Sequence, residues 1–103
     1  MGNSEPNLSW RDYILHSVQH ALALWNICPS VRAVSIEWDE HSVDMYFIYD
    51  GAISDDDVEI SECIATEVLA SFYDETVRTH HIRCDYPNPI PQLGRECVYS
   101  RNG

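Results

Sequence analysis

The chain has 103 residues, 45% of them hydrophobic and 11% aromatic, which is enough apolar material for one domain with one core and excludes a disordered chain. Seventeen acidic residues face six basic ones, for a formal net charge of −11. A surface of that sign repels phosphate backbones and anionic membranes, so direct nucleic-acid or membrane binding is not expected, and a basic protein is the partner it would attract.

The first eight residues read as a short flexible arm, and residues 9–103 as a single domain. Ser9 opens a helix, with Asp12 at the third position as a capping-box variant. Trp10, Tyr13, Ile14, Val18, Ala21, Leu22 and Trp25 recur at three- and four-residue spacings, and Pro29 stops the helix near Asn26. In Val31–Trp38 the set Val34, Ile36, Trp38 alternates with Ala33, Ser35, Glu37; in Ser42–Tyr49 the set Val43, Met45, Phe47, Tyr49 alternates with Ser42, Asp44, Tyr46, Ile48. Period two in β-branched and aromatic residues predicts two strands, and the link Asp39-Glu40-His41 is short enough to make them an antiparallel hairpin.

Asp50-Gly51 breaks the second strand. Ser54 caps a second helix, again with an aspartate, Asp57, three residues on, and Asp55, Asp56 and Asp57 fill its first turn, where they complement the helix dipole. Val58, Ile64, Ala65, Val68, Leu69 and Phe72 form its apolar stripe. A third strand is expected over Val77–Asp85, an extended proline segment over 87–91, and a last short strand over Cys97–Arg101. The order αββαββ fits a two-layer α+β sandwich: a mostly antiparallel four-stranded sheet with both helices on one face, and polar and aromatic side chains open on the other.

No cysteine pair has the Cys-x-x-Cys spacing of a zinc or redox motif, so Cys28, Cys63, Cys84 and Cys97 read as buried free thiols. His16 and His20 lie four apart without the glutamate of a zincin motif, and Ser54–Glu62 lacks the central glycine of an EF-hand loop, so neither a metal nor another cofactor is expected. His81, Arg83 and Asp85 fall on one face of the third strand, and His81 with Asp85 or His41 has the residue types of an acid–base pair. No nucleophile elbow, P-loop or Cys–His motif accompanies them, and the chain is not expected to be an enzyme. Met1–Pro6 carries neither a basic region nor an apolar run, and a cytoplasmic location is expected. Tyr46, Tyr49, Tyr86 and Tyr99 are the aromatic interface candidates, since tyrosine tolerates being half wet.

The element order, the acidic balance and the tail Asp85-Tyr86-Pro87-Asn88-Pro89-Ile90-Pro91-Gln92-Leu93-Gly94-Arg95-Glu96-Cys97-Val98-Tyr99 resemble small bacterial immunity proteins of the contact-dependent growth inhibition type. The resemblance implies an antitoxin that binds and neutralises a cognate toxin, commonly a nuclease. On that reading Asp55, Asp56, Asp57, Glu59, Glu62 and the hairpin acids Asp39, Glu40 and Asp44 supply the charge, with Tyr46 as an aromatic anchor. The alternative is a homo-oligomeric structural or adaptor domain, a homodimer in its simplest form, that pairs through its open sheet face.

Overall fold

A computed structural model describes residues 9–72 and 75–101; the expected N-terminal arm lies outside the described residues. The elements are α1 (Trp10–Leu24), β1 (Val31–Trp38), β2 (Ser42–Tyr49), α2 (Asp55–Leu69), β3 (Thr76–Arg83) and β4 (Glu96–Ser100). The first two strands have the expected bounds, and the last two begin and end within two residues of them.

Capping chemistry sets both helix starts. Ser9 Oγ accepts from the Asp12 amide at 3.1 Å, and Ser54 Oγ from the Asp57 amide at 3.0 Å. The Asp57 carboxylate returns the bond to the Ser54 amide at 3.0 Å, completing a capping box and holding this carboxyl below its ordinary range. Ser54→Ala is expected to cost about 1 kcal/mol, read as a lowered urea midpoint with unchanged m-value.

The sheet has the order β3-β2-β1-β4. β1 pairs antiparallel with β2 and with β4, whereas β2 and β3 are parallel. Both helices pack on one face. There Ile14, Val18 and Ala21 of α1 and Ile64, Ala65 and Val68 of α2 meet Val34, Ile36, Trp38, Val43, Met45, Phe47 and Tyr49, all buried in one cluster. The cross-strand pairs Val34–Phe47, Ile36–Met45 and Trp38–Val43 put the two expected apolar sets on the same side of the sheet.

The opposite face is less open than expected. Ala33, Ser35 and Ile48 belong to it by alternation, yet they are 1%, 5% and 0% exposed. The segment 84–95 must lead from the lower end of β3 at one edge to the upper end of β4 at the other, and it crosses this face as a strap. Buried Arg32 anchors it, donating to the Cys84 and Asn88 carbonyls at 2.7 and 2.8 Å, and Ser35 lies under Ile90–Leu93. At the far end the Arg95 amide bonds the Ile36 carbonyl at 2.7 Å, and its guanidinium lies 4.5 Å from the Trp38 ring centroid. The part of this face with Asp44, Tyr46, Arg78 and His80 stays accessible. Tyr49 is not an interface residue: it is fully buried between strand and helix, and burial pushes its phenol up to about 12. Tyr86 is 57% exposed, and Tyr99 is packed against the core.

Candidate functional site

The arginines decide where negative charge is left over. The chain has six basic residues, all arginines. Arg11 pairs with Glu96 and Asp12, Arg78 with Asp44, Arg83 with Asp85, Arg95 with Glu37, and Arg101 reaches Asp50 at 4.0 Å. Arg32 is buried against carbonyls under the strap. None of these contacts goes to α2.

Helix α2 carries Asp55, Asp56, Asp57, Glu59, Glu62 and Glu67 and no basic residue. Its buried residues Ser61, Ile64, Ala65 and Val68 fix its orientation, so Asp55, Asp56, Glu59 and Glu62 point outward and are exposed. Positions 55, 59 and 62 lie three or four apart and form one stripe. Between this stripe and the end of α1 runs a groove of about 250 Å³ lined by Trp25, Glu59, Glu62, Cys63, Thr66 and Glu67. Carboxylates beside an indole suit an arginine or lysine side chain, which gains charge pairing and a cation–π contact together. Glu62 accepts from Thr79 Oγ1 at 2.5 Å, which ties the middle of the stripe to β3.

The remaining candidate acids lie elsewhere. Asp39 stands at the tip of the β1–β2 hairpin and accepts from the His41 and Ser42 amides at 2.7 and 2.8 Å; these bonds lower its pKa and close the turn. Glu40 is exposed beside it. This tip and the start of α2 are at opposite ends of β2, roughly 25 Å apart by strand rise. Asp44 is on the strap face, held by Arg78 Nε at 2.8 Å and His80 Nε2 at 2.9 Å, and Tyr46 stacks on the His80 ring at 4.6 Å. Asp57 is turned toward the protein by its capping box and a 3.4 Å bond from Ser30. The structure therefore gathers Asp55, Asp56, Glu59 and Glu62 and separates them from Asp39, Glu40, Asp44 and Tyr46. Trp25 and Glu67 are not among the expected site residues: Glu67 lies four residues after Cys63 and off the 55–59–62 stripe, and Trp25 reads from sequence as a core residue.

Asp44 has a consequence for stability. The Arg78 hydrogen bond, and with it that of His80, holds its carboxyl below the ordinary value of 3.8 against the opposing effect of its burial. A carboxyl depressed in the folded state adds stability above its unfolded pKa and loses it as pH falls through the folded one. Urea midpoints taken between about pH 6 and about pH 2 should therefore fall less steeply for Asp44→Asn than for the parent chain. Equal slopes would show that the Arg78 and His80 contacts do not hold in solution.

The acid–base reading of β3 is not assembled. His81 bonds Ser61 Oγ at 2.6 Å, and Ser61 in turn donates to the Val58 carbonyl at 2.7 Å, so the ring nitrogen is the donor. Asp85 is taken by Arg83 at 2.9 Å and the Gly51 amide at 2.8 Å. His16 and His20 are exposed on α1, and no group of three or more potential metal ligands occurs among the described residues. All four cysteines are free, but none is buried as expected: Cys28, Cys63 and Cys84 are half-buried and Cys97 is exposed. No helix among the described residues is long and apolar enough to cross a membrane.

No curated protein matches the chain. A family model does, over residues 11–103, and it describes a MafI2 immunity protein. This agrees with the immunity-protein resemblance of the tail and names a different family from the contact-dependent growth inhibition type. The match takes in every strand and both helices described above except for Trp10, the first residue of α1, and the chain belongs to the MafI2 immunity protein family.

Proposed function

We propose that this chain neutralises a cognate toxin by binding a basic surface of it with the outer face of α2. The observation that carries the reading is the distribution of arginines, which are engaged away from α2 and leave Asp55, Asp56, Glu59 and Glu62 without an arginine partner among the described residues. A nuclease is the toxin class that fits, because a protein that grips a polyanion is basic where it does so, and an acidic helix imitates the polyanion. The inhibitor acts in the cytoplasm, where such a toxin finds its substrate. The resemblance to contact-dependent growth inhibition immunity proteins supports the same class of action, by occlusion of the toxin and not by catalysis.

The direct test uses the toxin domain that is cognate to this chain. An equimolar amount of the chain should abolish its nucleic-acid cleavage, and a cleavage rate that does not change with a tenfold excess of the chain would refute the reading. Binding should put the α2 amides, Asp55 to Leu69, among those whose hydrogen exchange slows.

A further inference from the structure

One feature of the sheet has no part in that reading. β3 is an edge strand of eight residues, and none of the eight is buried. The other edge, β4, has five residues and a register shift, the usual protections of a free edge. β3 has neither, nor a proline, and its pairing with β2 is unbroken from Thr76 to Arg83.

The ladder parity says which groups are open. The Thr76 amide bonds the His41 carbonyl at 2.9 Å and the Cys84 amide bonds the Tyr49 carbonyl at 2.8 Å. In a parallel pair alternate residues turn both N–H and C=O toward the neighbour. Even-numbered residues of β3 therefore face β2, and Val77, Thr79, His81 and Arg83 turn their backbone groups outward, where no partner for them occurs among the described residues.

We propose that the β3 edge pairs antiparallel with β3 of a second copy of this chain, about a two-fold axis at His80. That register sets Val77 opposite Arg83 and Thr79 opposite His81, so every outward N–H and C=O of one strand meets its complement on the other. Arg78 then faces Ile82, and no arginine faces an arginine. Shifting the axis to Thr79 would set Arg78 against His80, which disfavours that register.

Charge also favours a copy of the chain over the basic toxin. Arg78 and Arg83 lie on this strand and are matched locally by Asp44 and Asp85, so the edge draws a basic protein less than α2 does, although Glu62 reaches it at Thr79. Edge pairing alone buries less area than a standard interface, so the dimer is weak and forms at high micromolar concentration. Two chains of charge −11 repel, so salt strengthens this association. Toxin binding has the opposite salt dependence, and the two readings can fail separately.

The test is sedimentation of the full chain from about 5 to about 500 µM, with amide exchange at both ends of the range. A monomer–dimer equilibrium is expected, in which exchange at Val77, Thr79, His81 and Arg83 slows at least about threefold on concentration while Arg78, His80 and Ile82 do not change. Val77→Pro and Thr79→Pro each remove an outward N–H and keep the bonds to β2, so each should weaken the dimer at least about tenfold. The circular dichroism of each should match the parent chain, and the wild-type exchange pattern decides the matter if either misfolds. A monomer at about 500 µM, or a dimer with those amides still exchanging freely, overturns the proposal. So does protection of the same amides only when the toxin domain is added, which would assign the edge to the toxin.

Discussion

Replacing Glu59, Glu62 and Glu67 with lysine is expected to slow association with the toxin domain by about 10–10³-fold at low salt. These residues line the groove beside Trp25, and the triple change turns its rim from three negative charges to three positive ones. The fold should tolerate it. Glu59 and Glu62 are exposed, Glu67 is at the margin of the helix packing, and lysines toward the end of a helix complement its dipole. The one side-chain bond lost among the described residues is that from Thr79 to Glu62, at the surface. Stopped-flow mixing reads the effect directly. The hairpin tip supplies the control, since Glu40→Lys alters charge at the other end of β2 and should slow association far less. Equal effects at the two places would mean that net charge, and not the α2 face, governs the encounter.

Gly94→Ala is expected to destabilise the fold by about 2–4 kcal/mol, more than any surface change made elsewhere on the strap. Gly94 has φ of +70°, and a Cβ there would stand 2.6 Å from the Ile36 carbonyl oxygen and 2.9 Å from its carbon. Neither atom can yield, because Ile36 is in the middle of the sheet and its carbonyl accepts the Arg95 amide. Relief requires the strap to lift, which would uncover Ser35 and loosen Arg95 from Trp38. Gly51 separates the two causes. Its φ is +91° but a Cβ would meet nothing within 4 Å, so Gly51→Ala should cost only the backbone strain, about 1–2 kcal/mol. Urea unfolding of both variants checks the difference; equal losses would show that the strap does not sit against β1.

What could be read from the residues follows from how local each signal is. The period-two sets ending in Trp38 and Tyr49 fixed two strands to the residue, and Asp39-Glu40-His41 fixed their pairing, because hairpins are local. Ser54 and Asp57 marked the start of α2 for the same reason. The parallel pairing of β2 with β3 left no such trace, since nothing in 76–83 records which strand it will lie beside. The strap was similarly hidden: prolines 87, 89 and 91 declare an extended segment without saying what it covers. Tyr49 shows a different failure. Its alternation with Phe47 already placed it on the core side, and the general readiness of tyrosine for interfaces was the weaker argument.

The acidic stripe was legible as composition but not as a site. Asp55, Asp56, Glu59 and Glu62 could be seen to share a helix, whereas the ion pairs that neutralise the competing acids join residues as distant as Arg11 with Glu96 and Arg78 with Asp44. Those long-range pairs remove Asp44 and Glu37 from the pool of free charge and leave α2 as the surplus. The groove beside Trp25 needed the two helices to be packed before it existed.

The most direct test of α2 as the toxin-binding face is the rate of association of the unaltered chain with its toxin domain, measured from about 50 to about 500 mM salt. The rate should fall by at least about tenfold over that range, while dissociation changes little. A rate that stays level across the range would contradict a docking step driven by the unpaired carboxylates of α2.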